Sequence, residues 1–207
     1  MYQAMKRRSK ASEKLESVFR SHGGVLRTSE ALKLGIHPQT LYALRDEGRL
    51  TRLDRGLYTL ADAPESANPD LIVVARRVPK GILCLLSALA FRELTTQLPH
   101  QVHIALPRGT KSPRLLHPPL RVFRFSGLAF SRGVEKHRID GSEIRIYTPA
   151  KTVADCFKFR NQIGLDVALE ALRDCWRRKL CTMDDLWKYA RICRVANVIR
   201  PYLESLV

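Results

Sequence analysis

The chain has 207 residues, with 36 Lys+Arg against 20 Asp+Glu and a formal charge of +16, an excess that points to a polyanionic partner. At 45% apolar residues it can bury more than one core, and its length exceeds that of a lone winged helix, so a second domain is expected. No apolar run is long enough to span a bilayer and no secretory stretch follows the basic N-terminus, which sets membrane and secreted classes aside and leaves a cytoplasmic protein.

Residues 1–10 are polar and basic, with Lys6, Arg7, Arg8 and Lys10. They read either as a disordered start or as an arm lying along a DNA backbone. Residues 12–22 then carry Leu15, Val18 and Phe19 at helical spacing, and Gly23-Gly24 breaks that helix. Thr28 is a good N-cap and Gly35 a good left-handed stop for a short helix between them. A second helix restarts at Pro38, which suits the first helical position, and ends at Gly48. Phe19, Leu32, Leu41 and Leu44 are the expected centre of a small core.

Residues 50–60 alternate on both sides of a Gly-containing turn, the pattern of a β-hairpin. Two short helices around a tight turn, followed by a basic hairpin, spell a winged helix-turn-helix. The outward face of its second helix presents Gln39, Thr40 and Tyr42, groups able to read base edges in a major groove. His37, Arg45, Arg52 and Arg55, together with Lys6, Arg7 and Arg8, are the candidates for the DNA backbone.

Residues 64–68 are polar, proline-bearing and aperiodic, and read as a linker between a DNA-binding domain (1–63) and a larger domain (69–207). In the larger domain a helix is expected from Asn68 through Val78, a short strand at 82–85, and a helix around 87–91. Strands follow at 102–106, 120–125 and 143–147. Helices then fill the C-terminal part: one to Phe159 behind Thr148-Pro149, one over 164–178, one behind Thr182, and a last one kinked at Pro201. The fold class is α+β, with a helical end.

Basic charge is spread over both parts: residues 1–60 hold 12 Lys+Arg against 6 Asp+Glu, and residues 101–145 hold 9 against 3. Arg108, Lys111 and Arg114 fall in one loop and form a possible second basic patch. Arg121 and Arg124, three apart on a strand, face opposite ways.

The search for catalytic chemistry returns little. Residues 107–112 lack the leading glycine of a phosphate loop. His100 and His103 have no companion ligands nearby, so neither a metal nor a cofactor is expected. Five cysteines without C-x-x-C spacing fit a reducing compartment and support neither a disulfide framework nor a zinc site. A nuclease site at Asp140 and Glu143 would end in Arg145, a poor proton-shifting base. The chain reads as a non-enzyme, with a DNA-acting enzyme as the least favoured class.

Several short runs, in this order, resemble the AbiEi-type antitoxins of type IV toxin–antitoxin systems. They are Gly23-Gly24, Gly35-Ile36, Thr40-Leu41-Tyr42 and Arg55-Gly56-Leu57-Tyr58 in the first domain. In the second they are the runs at 86–90, 97–99 and 147–157. The spacing of Val153, Cys156 and Phe157 also fits simple core packing of a helix. The resemblance implies a repressor of its own operon, whose winged domain binds operator repeats in double-stranded DNA. It implies a neighbouring nucleotidyltransferase-like toxin, counteracted by the C-terminal domain without a stable complex. A monomer binding its repeats cooperatively fits that scheme. The alternative is a winged-helix regulator whose second domain senses a ligand or partner and has no antitoxic role.

Overall fold

The computed structural model describes residues 2–64 and 66–206, with side chains from Ser12 onward. It divides into two compact units: Met1–Pro79 with Arg138–Glu143, and Lys80–His137 with Ile144–Val207.

The first unit opens with α1 (Tyr2–Ser21), which starts ahead of the expected residue 12. Leu15 and Phe19, four apart and so on one face, are fully buried. Gly23 ends the helix in the left-handed region (φ +77°), and the Gly24 N–H donates to the Phe19 carbonyl at 2.7 Å. A Cβ on Gly23 would also lie 2.2 Å from the Cα of Gly141, at the tip formed by residues 138–143. Only two glycines allow the backbones to approach so closely. Arg76 secures this contact, donating to the carbonyls of His22 (3.1 Å) and Gly141 (3.4 Å) and to Ser142 Oγ (3.0 Å).

β1 (Val25–Arg27) leads into α2 (Thr28–Lys33), α3 (Pro38–Asp46) and the hairpin of β2 (Leu50–Asp54) and β3 (Leu57–Leu60). The sheet order is β1-β3-β2, with both pairings antiparallel. Leu15, Phe19, Leu26, Ile36, Leu41, Leu44 and Tyr58 are among the residues of its core. Leu32 is not: it is 44% exposed, and Ala31 takes the buried position. One helical step is about 100° of rotation, so the face that buries Ala31 turns Leu32 outward. Thr28 does not cap α2 either. Its N–H and hydroxyl both go to the Gly56 carbonyl (2.9 and 3.4 Å), which ties the helix to the hairpin turn. Arg27 holds the N-cap position, and its N–H is accepted by the Glu30 carboxylate at 2.9 Å.

α4 (Pro69–Arg77) completes the unit. Arg77 Nε lies 2.9 Å from Oδ2 of Asp54, buried at the end of β2. The compact unit therefore runs past residues 64–68 to Pro79, and Arg76 and Arg77 at the end of α4 pair with Glu30 and Asp54 of the winged helix.

The second unit contains β4 (Ile82–Leu83), α5 (Leu85–Phe91), β5 (Val102–Pro107), β6 (Leu120–Phe125) and α6 (Leu128–Ser131). β7 (Val134–Ile139) and β8 (Ser142–Tyr147) follow, joined by the tip assigned to the first unit. The five-stranded sheet has the order β6-β5-β4-β8-β7. β5 and β6 pair in parallel from Val102↔Leu120 to Pro107↔Phe125, whereas β4 is antiparallel to β5 and parallel to β8. Helices close the chain: α7 (Pro149–Lys158), α8 (Arg160–Ile163), α9 (Leu165–Arg177), α10 (Met183–Cys193) and α11 (Ala196–Glu204), the last running through Pro201. Strands come first and helices after, giving the expected α+β class. β7 was not foreseen. It is rich in charge, and its strand state follows from β8 across the Asp140-Gly141 turn, where both residues have positive φ.

α7 is the central helix of this unit, with residues 150–157 all buried. Its Lys151 Nζ lies 2.5 Å from Asp155 Oδ2 and 4.0 Å from the centre of the Tyr147 ring. Cys193 Sγ donates to the other Asp155 oxygen at 3.2 Å. Burial raises the Asp155 carboxyl above its ordinary value, against the pull of Lys151. These groups satisfy one another inside the core, so the 149–157 run has a packing role.

Candidate nucleic-acid interface

The candidate interface is built on the first unit. α2 stops at Gly35, whose left-handed backbone (φ +78°) lets the Ile36 N–H reach back to the Ala31 carbonyl at 3.0 Å. Ile36 is thereby buried, and the chain turns at once into α3. His37 is the N-cap of α3: its ring Nδ1 accepts from the Gln39 N–H at 3.3 Å, with Pro38 beside it at the first helical position. Leu41 and Leu44 anchor α3 in the core. Their burial fixes which side faces out.

That outward side carries Gln39, Tyr42, Ala43 and Arg45, all exposed, with Thr40 half-buried beside them. The Arg45 guanidinium sits 5.2 Å from the centre of the Tyr42 ring and 2.7 Å from Asp46. The pair of side chains is thus held together, and the hydrogen bond to Asp46 raises Arg45 above its ordinary value. An exposed amide in the first turn of such a helix offers the paired donor and acceptor that suit adenine. The N-terminal end of α3 also contributes the partial positive charge of the helix dipole.

In the wing, the register shifts between Arg52 and Asp54, so Leu53 forms a bulge before the turn. Arg52 is exposed, and its Nε donates to the Asp54 carbonyl at 3.3 Å. Arg55 is exposed on the turn itself. Beneath the hairpin lies a charged base of Arg27, Arg76, Arg77, Glu30 and Asp54, among which Arg77–Asp54 and Arg76–Glu30 are paired. Burial lowers the Arg27 guanidinium below its ordinary value, and Arg77 and Arg76 add to this against Glu30. Sequence reasoning missed this base, since its partners lie more than 20 residues apart. The two consecutive arginines at the end of α4 were the available signal. Arg49, exposed between α3 and β2 and paired with Glu16, was missed as well.

The side chains of Lys6, Arg7 and Arg8 lie outside the described residues. In the second unit, Arg108, Lys111 and Arg114 are exposed on the loop between β5 and β6. Arg124 is not free for a ligand: it donates to Pro107 O (3.3 Å) and Ser112 Oγ (2.7 Å). Arg121, on the opposite face, lies over the Phe123 ring and donates to Gln162 O at 3.3 Å. His100 is exposed while His103 is buried, and no group of three metal-binding side chains occurs among the described residues. Asp140 and Glu143 flank the tip of the β7–β8 hairpin.

These features, a core-anchored second helix with an exposed polar face beside a basic wing, can be set beside known proteins. Residues 13–61 match the family of AbiEi antitoxin transcriptional regulators. The AbiEi match begins within α1 and ends with β3, so it covers the whole winged helix-turn-helix. Among solved structures, the crystal structure of RV2827C protein from Mycobacterium tuberculosis superposes with a TM-score of 0.57 at 15% identity. The alignment covers 86% of this chain and 70% of that one, and at such identity it carries the fold alone. No curated protein matches the sequence. Among the described residues no helix is long and apolar enough to cross a membrane.

Proposed function

We propose that this chain is an operator-binding repressor of its own operon and the antitoxin of a type IV toxin–antitoxin pair. The observation that carries the reading is the AbiEi match over 13–61, which coincides with the elements that present α3 and the wing. Gln39, Thr40 and Tyr42 read bases. His37, Arg45, Arg52 and Arg55 hold phosphates, with Lys6, Arg7 and Arg8 as an added arm and Arg108, Lys111 and Arg114 as a second patch. The protein acts in the cytoplasm and is no enzyme. Its counterpart is a nucleotidyltransferase-like toxin encoded next door, counteracted through the residues after the winged helix without a stable complex. Repeated operator sites are filled cooperatively by monomers.

Two assays test this. The chain should shift a fragment from upstream of its own gene in preference to scrambled DNA. It should also restore growth to cells expressing the neighbouring toxin. Loss of the first result removes the repressor role, and loss of the second alone removes the antitoxin role.

A second reading is favoured by one feature of the second unit. A shallow hollow of about 580 Å³, open to solvent, is lined by Leu86, Leu98, Pro99, His103 and Arg121, among others. A regulator that senses a small molecule there would bind DNA equally well and leave the toxin unopposed.

A further inference from the structure

The chain has five cysteines, and four of them (Cys84, Cys156, Cys175 and Cys193) are buried. Cys181 is the partly exposed one. Its Sγ lies 2.8 Å from the Sγ of Cys175, six residues earlier. That is well inside ordinary non-bonded sulfur contact and within about 1 Å of a bonded pair.

The backbone explains the meeting. α9 ends with Lys179 in the left-handed region (φ +53°). The Leu180 N–H returns to the Cys175 carbonyl at 3.0 Å, and the Lys179 N–H to the Trp176 carbonyl at 3.0 Å. This double reversal is a Schellman stop, and it folds the next residue back over the last turn of the helix. Arg178 holds the reversal in place by donating to the carbonyls of Glu93 (2.7 Å) and Arg92 (3.3 Å). On the other side Thr182 caps α10 through a reciprocal pair with Asp185 (Asp185 N–H to Thr182 Oγ1, 3.1 Å). Cys181 therefore sits between two fixed helix ends with its sulfur already against Cys175.

We propose that Cys175 and Cys181 form an oxidation site, a dithiol that closes to a disulfide when a hydroperoxide reaches Cys181. The Cys181 thiolate attacks one oxygen of hydrogen peroxide, forming the S–O bond of the sulfenic acid as the O–O bond breaks and the other oxygen leaves as hydroxide. The Cys175 sulfur then attacks that sulfenic sulfur, forming the S–S bond and releasing its proton with the hydroxyl as water. Two electrons pass from the two sulfurs to one peroxide. The surroundings suit these roles. Cys181 is held below the ordinary thiol value by the hydrogen bond with Cys175, against the effects of burial and Asp185. Cys175 is pushed up by the same bond and by burial, and so keeps the proton it later gives to water. The other buried thiols lack such access: Cys193 is hydrogen-bonded to Asp155, and burial pushes Cys84 and Cys156 well up. The bond closes a loop between helix ends that the fold already holds in place, so it is reversible by thiol reductants without remodelling the unit.

The test uses the full-length protein, reduced and then treated with hydrogen peroxide at near-stoichiometric amounts. Thiol titration after unfolding should fall from five to three, the intact mass should drop by about two daltons, and dithiothreitol should restore both. Tryptic mapping should join the peptide of residues 174–177 to that of residues 180–188. In Cys175→Ser, which keeps the exposed thiol and lacks its partner, dimedone should label Cys181. Retention of all five thiols, or a cross-link that involves any other cysteine, overturns the proposal. So does a Cys175→Ser protein that takes up no dimedone.

Discussion

Gln39 and Arg55 are both exposed, yet they stand on different supports. Gln39 sits in the first turn of a helix locked by Leu41 and Leu44 and capped by His37. Arg55 rides on a two-residue hairpin turn. Rigid placement suits base reading, and a long cation on a turn suits a phosphate, so their loss should be felt differently. Gln39→Ala should cost on the order of 1–3 kcal/mol on the preferred operator and much less on scrambled DNA. Arg55→Ala should weaken both duplexes by similar factors and reduce the salt slope by about one unit. Isotherms of the two variants on the two duplexes decide it. A change of base preference in Arg55→Ala, with specificity intact in Gln39→Ala, would reverse the assignment of helix and wing.

At the scale of elements, what was legible is what local chemistry controls. Gly35, Pro38 and Gly48 set the ends of the two helices, and the alternation of 50–60 set the wing. Where a tertiary partner decides, the sequence misled. Thr28 has the chemistry of a cap, but its groups are taken by Gly56. Leu32 outranks Ala31 in apolarity, but the short helix buries Ala31. β7 depends on β8, and Arg77 on Asp54, neither of which shows in a local window. His103 is another case, since alternation gives its face but not its depth. Burial in β5 lowers its imidazole from 6.5 to about 4, with Arg121 adding to the effect. Between those values the unfolded chain binds more protons than the folded one, so stability rises with pH across that window. Acidification from 6.5 towards 4 should remove on the order of 3 kcal/mol through this group. Both tryptophans, Trp176 and Trp187, lie in the second unit, so their fluorescence in urea melts follows that unit alone. The wild type should lose this increment on acidification and His103→Leu should not. Equal pH dependence of the two proteins would show that His103 is not the titrating group.

For the whole molecule, the division after Pro79 has consequences. Both a fragment ending at Ala63 and one ending at Pro79 lack residues 138–143 and so lose the Gly23 contact, but only the shorter one also takes Arg77 from the Asp54 carboxylate. A fragment ending at Pro79 keeps the ion pair. Arg77 is partly exposed, so the pair is worth less than a fully buried one, and residues 1–63 should be less stable than 1–79 by roughly 2 kcal/mol. Thermal melts of the two fragments check this, and equal stability would return the boundary to residues 64–68.

On the proposed function, this basic chain binds DNA through the winged helix and reads sequence with α3. The most direct measurement is affinity for an upstream operator duplex and a scrambled duplex of equal length, followed across a salt series. Phosphate contacts from the wing and the other basic segments should give a log–log slope of roughly −4 or steeper on both, at about −0.9 per phosphate neutralised. The operator should remain preferred at every salt concentration. Equal affinity for the two duplexes, or an affinity that does not fall with salt, would exclude sequence-specific binding through the winged helix.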